Sequence, residues 1–194
     1  MAADRPESLS LEDWLRRGGE TTTLVLSDVV RSTAFLYSAS SMLYMQEIGA
    51  HRRRARGLID SLGGRVIDMS GDAVFAAFHR VGDAFRYARS ILEDTGSDKV
   101  RVRVGIHDGV VHPAHDGLFG KAVHYVARIA ERAGESELWL SDAAKLALES
   151  SAPELAARLP WHLVDDCELR EVPGRHRVWW LAKPAGEAPL PAQD

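Results

Sequence analysis

The chain has 194 residues, 45% of them hydrophobic and 27% charged, with a formal net charge of −4. This fits one globular domain long enough to bury a core, and the negative balance argues against a dedicated nucleic-acid binder. The lone Cys167 excludes an intrachain disulfide framework and a multi-cysteine zinc site, and no run reaches the roughly 18 apolar residues of a membrane-spanning helix. The N-terminal MAADRPESLSLEDW lacks a basic stretch followed by an apolar one, so a cytoplasmic protein without membrane contact is expected.

Residues 1–20 read as a poorly ordered extension, and residues 183–194, KPAGEAPLPAQD from Lys183 on, as a flexible Pro-rich tail. Between them, TTTLVLSD (21–28) is β-branched and apolar and stops at an aspartate, which predicts a strand running into a turn. Ser32 and Thr33 are in place to cap a helix whose apolar positions Leu36, Leu43, Ile48, Leu58, Ile59 and Leu62 recur at helical spacing, with a break expected near Gly49 and a stop at Gly63 and Gly64. RVIDM and AVFAAF flank Ser70-Gly71-Asp72 and predict a hairpin with Asp72 at its tip. VGDAFRYARSILED (81–94) places Ala84, Tyr87, Ala88 and Ile91 on one helical face. VRVRVGIH (100–107) alternates as a half-buried strand, and GVVH after Asp108-Gly109 reads as its hairpin partner. FGKAVHYVARIAERAG (119–134) is helical, and LWLS, DAAKLALES, WHLVD and RHRVWWL supply a strand, a helix and two further strands. The order predicts an α+β domain, 21–182, with helices packed on a mostly antiparallel sheet. HRRRAR (51–56) is expected to be a solvated helix face, and of Trp179 and Trp180 one ring is expected in the core and the other over an edge.

Asp28 ends the first strand and Asp72 tips the first hairpin. Either alone is an ordinary turn residue. If the two strands pair, however, both carboxylates meet at one edge of the sheet and form an oxygen site suited to Mg²⁺ or Mn²⁺. Beside them Val29, Val30, Ser32 and Thr33 lead into the long helix, where free backbone N–H groups suit phosphate.

LSDVVRST, GGRVIDMSGDAVFAAF, VRVGIHDGVV and LFGKAVHYVARIAERAG resemble, in order and approximate spacing, four blocks of the class III nucleotidyl cyclase catalytic domain, over about residues 21–181. The resemblance implies a ferredoxin-like cyclase fold, two metal ions held by Asp28 and Asp72, and a homodimer with active sites at its interface. It also implies that Arg128 meets the negative charge of the transition state and that Arg170, in LREVPG, stands where the family has a phosphate-binding lysine. His124 stands where the family places an asparagine four residues before that arginine; an imidazole can still donate a hydrogen bond, and packing alone would also explain it.

Asp68 occupies the place of the lysine that reads adenine in adenylate cyclases, and the second adenine reader, near Gly117 or Leu118, is also missing. A carboxylate only accepts hydrogen bonds, so Asp68 suits a base edge that presents N–H donors: uracil, the cytosine amino group, or guanine. The sequence therefore resembles the stand-alone pyrimidine cyclases of Pycsar anti-phage systems. That implies a nucleoside triphosphate substrate, UTP ahead of CTP, and a separate effector that responds to the cyclic nucleotide. Adenylate or guanylate cyclase activity and a catalytically inactive nucleotide-binding homologue are the alternatives.

Overall fold

In the computed structural model, which describes residues 9–115 and 117–182, apolar alternation builds the strands and helical spacing builds the faces that cover them. The elements run α1 (Leu11–Arg17), β1 (Thr22–Val29), α2 (Ser32–Ser38), α3 (Ser41–Ser61), β2 (Arg65–Asp68), β3 (Val74–Phe78), α4 (Val81–Glu93), β4 (Val102–Gly109), β5 (His112–Ala114), β6 (Gly117–Phe119), α5 (Lys121–Arg132), β7 (Glu137–Ser141), α6 (Asp142–Ser151), α7 (Pro153–Arg158), β8 (His162–Leu169) and β9 (Val172–Ala182). Among the described residues, seven strands form one sheet in the order β2-β3-β1-β4-β7-β9-β8. Its pairs are antiparallel except for β4 with β7. This is the expected α+β architecture.

Helices α3, α4 and α6 cover one face of the sheet. There Val25, Val104 and Ile106 from the strands meet Ile59, Phe85, Ile91 and Leu148 from the helices. The predicted apolar face of α4, Ala84, Tyr87, Ala88 and Ile91, is fully buried, and each large apolar side chain so placed contributes about 1.5–3 kcal/mol. The other face carries α5 through Ala122, Val126 and Ile129. A Cβ on Gly105 would lie 2.6 Å from the backbone nitrogen of Ala130, so glycine is what lets α5 lie this close to β4. That contact sets where α5 carries Arg128.

Several expectations are corrected. The helical stretch breaks at Ala39-Ser40 rather than at Gly49, because Ser40 Oγ accepts from the Leu43 N–H at 3.2 Å and caps α3; a serine cap specifies a helix start, whereas an isolated glycine costs only about 1 kcal/mol mid-helix. Ser32 and Thr33 lie inside α2 rather than capping it; the cap position is Arg31, whose side chain makes no capping bond. GVVH is not the hairpin partner of β4, since both edges of β4 are taken by β1 and β7; His112–Ala114 pairs with Gly117–Phe119 as a separate ribbon. Residues 11–17 of the supposed extension are helical: Ser10 Oγ caps α1 at 3.0 Å and Trp14 stacks on His79 at a centroid distance of 3.8 Å. Residues 1–8 and the Pro-rich tail lie outside the described residues. HRRRAR is not one solvated face, because His51 and Ala55 are buried and Arg52 is half-buried. Trp179 packs on the main core, while Trp180 stacks on the His162 ring at 4.4 Å near the edge strand β8. Among the described residues, no helix is long and apolar enough to cross a membrane.

Candidate active site

The pairing of β1 with β3 brings Asp28 to a strand end beside the turn that carries Asp72. The register ends at Ser27 opposite Val74, so one residue further on Asp28 reaches Ala73 and the turn that carries Asp72. On the other flank, Asp28 lies opposite Arg103 of β4. Arg103 Nε and Nη2 both donate to Asp28 Oδ2, at 2.9 and 2.6 Å, and its Nη1 donates to the Glu131 carbonyl at 3.3 Å. One guanidinium thus grips the first aspartate and touches the C-terminal turn of α5.

The second aspartate sits in a turn shaped by Gly71, whose φ of +60° lies in the left-handed region that glycine tolerates. Ser70 Oγ donates to Asp68 Oδ1 at 2.8 Å, which leaves the other Asp68 oxygen outward on an exposed residue. Arg52 of α3 donates from Nη2 to the carbonyls of Met69 and Gly71. Asp72 also acts on α3: burial is the main cause of the raised Tyr44 pKa and the lowered His51 pKa, and the Asp72 charge adds an upward push on both. A Cβ on Gly117 would meet Ile67 Cγ2 at 3.4 Å. The positions where the resemblance puts base readers, Asp68 and Gly117 to Leu118, therefore belong to one neighbourhood.

The residues expected to face the phosphates gather elsewhere. Arg128, with a side chain 17% exposed, is paired to Glu131 and, at 2.7 Å, to Glu171. Arg170 Nη2 reaches Glu131 Oε1 at 3.0 Å. Arg128, Glu131, Arg170 and Glu171 line a groove of about 610 Å³. His124 is exposed one turn before Arg128 on α5 and has no hydrogen-bond partner among the described residues.

The aspartates fit a hard divalent cation. Arg103 engages only Oδ2 of Asp28, so Oδ1 is left for a ligand bond, and the half-buried Asp72 carboxylate has no hydrogen-bond partner among the described residues. Among the described residues, no group of three His, Cys, Asp or Glu side chains forms a closed cage. An ion here would complete its shell with further oxygens, from water in the free protein and from substrate phosphates in a complex, as Mg²⁺ does when it binds through one or two carboxylates. The phosphate cradle is smaller than expected: the Val30 N–H donates to the Arg101 carbonyl at 2.9 Å and Val29 lies in the ladder opposite Val102. Ser32 and Thr33, in the first turn of α2, keep their N–H groups for a ligand.

Sequence reasoning did not find Arg103, Glu131, Glu171 or Arg52. The signal for Arg103 was its alternation with Arg101 in VRVRV, but which aspartate it would face depends on strand order. Arg31 was also missed. It adopts φ +58°, ψ +28° without being glycine, a conformation that costs an L-residue about 1–2 kcal/mol. Arg31→Gly should therefore raise stability by about 0.5–1 kcal/mol net of the added unfolded-state entropy, or about 1–4 °C in Tm. Thermal unfolding checks this, and a fall in Tm would refute it.

No protein-family model matches the sequence, and a comparison with curated proteins gives no match either. Solved structures do match. An adenylate cyclase domain from Trypanosoma brucei superposes with a TM-score of 0.74 at 21% identity, covering 88% of this chain and 94% of that one. The guanylate cyclase domain of a protein from Catenaria anguillulae, in complex with GTP, gives 0.70 at 16% identity over 85% and 98%. The fold is that of a nucleotidyl cyclase domain. A dimeric guanylyl cyclase domain from Blastocladiella emersonii shares this cyclase fold with a TM-score of 0.68 at 16% identity, over 84% of this chain and 96% of the other.

Proposed function

We propose that this chain is a class III nucleotidyl cyclase that converts a nucleoside triphosphate to its 3′,5′-cyclic monophosphate and pyrophosphate. The observation that supports the reading is the placement of Asp28 and Asp72 at the ends of adjacent strands of a cyclase fold, with one oxygen of the first and the whole carboxylate of the second free of hydrogen bonds among the described residues. Asp28 and Asp72 would hold Mg²⁺ or Mn²⁺ there, two ions per site, which would supply positive charge to the triphosphate and lower the pKa of the ribose 3′-hydroxyl. The 3′-oxygen forms the new bond to the α-phosphorus, the bond to the β-phosphate oxygen breaks, and the hydroxyl proton passes to water.

In a homodimer with shared sites, Arg128 and Arg170 of one protomer serve the aspartates of its partner. Arg128 stabilises charge that gathers on the α-phosphate oxygens, which requires exchanging its bonds to Glu131 and Glu171 for phosphate. Arg170 binds the polyphosphate, bidentate in the manner of arginine. His124 donates to ribose or phosphate, and Ser32 and Thr33 hold phosphate oxygens through their N–H groups.

The base is the finer part of the reading. Asp68 is exposed, with one oxygen free of Ser70, and a carboxylate there accepts from uracil N3–H but is repelled by cytosine N3. UTP ahead of CTP follows, with cyclic UMP as a second messenger for a separate effector in anti-phage defence. Purified protein incubated with Mn²⁺ and each of the four triphosphates in turn should form cyclic UMP at least about ten-fold faster than cyclic AMP, the scale of one charge-assisted hydrogen bond. Dominant cyclic AMP would restore the adenylate cyclase alternative, and dominant cyclic GMP the guanylate one. Nucleotide binding without any cyclic product would make the chain an inactive homologue.

A further inference from the structure

We propose that Arg52 is a positioning residue that holds the Asp72 turn in its cation-binding geometry, an inference that rests on the cyclase reading above. Its guanidinium donates from Nη2 to the Met69 carbonyl at 2.5 Å and to the Gly71 carbonyl. These two carbonyls bracket the tip of the turn, and Asp72 follows directly. The turn's own bonds are few: the Ala73 N–H reaches the Ser70 carbonyl at 3.3 Å, and Ser70 Oγ reaches Asp68. Gly71 adds conformational freedom at its centre.

The anchor belongs to the packed core. Arg52 projects from a 21-residue helix whose inner face, Ile48, His51, Ala55 and Ile59, is buried in the main core. Arg52 Nε is buried without a partner, and the hydrogen bonds this guanidinium makes among the described residues go to the turn. Arg52 and Asp72 also act with opposite sign on Tyr44 and His51, which places the two charges around the same groups.

Electrostatics and positioning predict opposite outcomes here. Removing a cation beside a metal site should tighten binding of a second cation. Releasing the turn should weaken it, by about ten-fold, the scale of ordering one residue. Weaker binding after loss of Arg52 is therefore diagnostic of positioning. Lysine keeps the charge but is shorter and lacks the guanidinium fork, so Arg52→Lys separates geometry from charge.

The experiment is a titration of the full chain with Mn²⁺ alone, following the free-ion signal by electron paramagnetic resonance. The parent protein, Asp72→Asn, Arg52→Lys and Arg52→Met are compared, and thermal unfolding is recorded for each. The parent should bind Mn²⁺ in a manner lost in Asp72→Asn, and both Arg52 variants should bind about ten-fold more weakly. In turnover assays their Mn²⁺ requirement should rise while kcat at saturating Mn²⁺ stays within about two-fold of the parent. Unchanged or tighter Mn²⁺ binding in folded Arg52→Lys overturns the proposal, and that variant decides if Arg52→Met fails to fold. Absence of Asp72-dependent binding in the parent itself overturns the metal reading and this proposal together, and is distinguished because it appears without any change at Arg52.

Discussion

Asp72→Asn is expected to lower turnover by about a thousand-fold or more, equivalent to about 4 kcal/mol of transition-state stabilisation, without unfolding the protein. The size follows from the role: a neutral amide at the hairpin tip withdraws one of the two negative charges that would hold the divalent ions. The fold should survive because the Asp72 carboxylate has no hydrogen-bond partner among the described residues, and the bonds that hold its turn, from the Ala73 N–H, Ser70 Oγ and Arg52, do not involve it. Asp28→Asn is a poorer test, since it also weakens the ion pair to Arg103 and leaves that half-buried guanidinium short of a partner. Steady-state turnover with Mn²⁺, beside circular dichroism, measures both expectations. A variant that turns over within ten-fold of the parent would remove Asp72 from the metal site.

The same variant tests whether sites are shared between protomers. Arg128→Ala should be inactive for a different reason, the loss of a cation from the groove shared with Arg170. If each site takes its aspartates from one protomer and its arginine from the other, mixing the two inactive proteins in equal amounts places both lesions in one site of every mixed dimer and leaves the other site intact. Random exchange then restores about a quarter of the parent activity. Sites complete within one chain would give no recovery.

The second large effect is on stability. His107 of β4 packs against the Tyr125 ring at a centroid distance of 4.6 Å and shares a 2.8 Å hydrogen bond with Ser141 Oγ. Burial pushes its pKa down from 6.5 to about 4, and the neighbouring Asp108 offsets only part of that. Below pH 6.5 the unfolded chain binds a proton that the folded chain refuses until about pH 4, so stability is complete above 6.5 and falls as the pH drops through this window. The loss reaches at most about 3 kcal/mol, at 1.36 kcal/mol per pKa unit. Urea unfolding at pH 7 and pH 4 should show the parent losing up to that much more stability than His107→Gln, which cannot titrate. The lowered His51 acts in the same direction but is common to both proteins and cancels in the comparison. Equal losses in the two proteins would disprove the assignment.

Much of the architecture was legible in local pattern. Period-two alternation over 100–107 marked the strand that runs Val102–Gly109, helical spacing marked the buried face of α4, and a Gly-containing turn between two β-prone runs placed Asp72 at a hairpin tip, because each signal depends on residues within a few positions of one another. The misplaced helix break and the misassigned partner of β4 show the limit: competing local signals, a serine cap against a glycine and a near neighbour against a distant strand, are decided by packing and by which strand edges are already taken.

The sequence by itself determined the chemical inventory of the proposed site: two aspartates, Arg128 on a helix, and an acid at position 68. Only the tertiary structure decided how that inventory is held. Asp28 meets Arg103 across 75 positions of sequence because β1 lies beside β4, Arg128 meets Glu171 across 43 because β8 and β9 turn back beside α5, and Arg52 meets the Asp72 turn because α3 packs over the hairpin. Each of these contacts is between charged or backbone polar groups on separate elements. No periodicity encodes them, since they depend on strand order, register and helix placement, which are set by burial of the apolar faces rather than by the polar residues themselves.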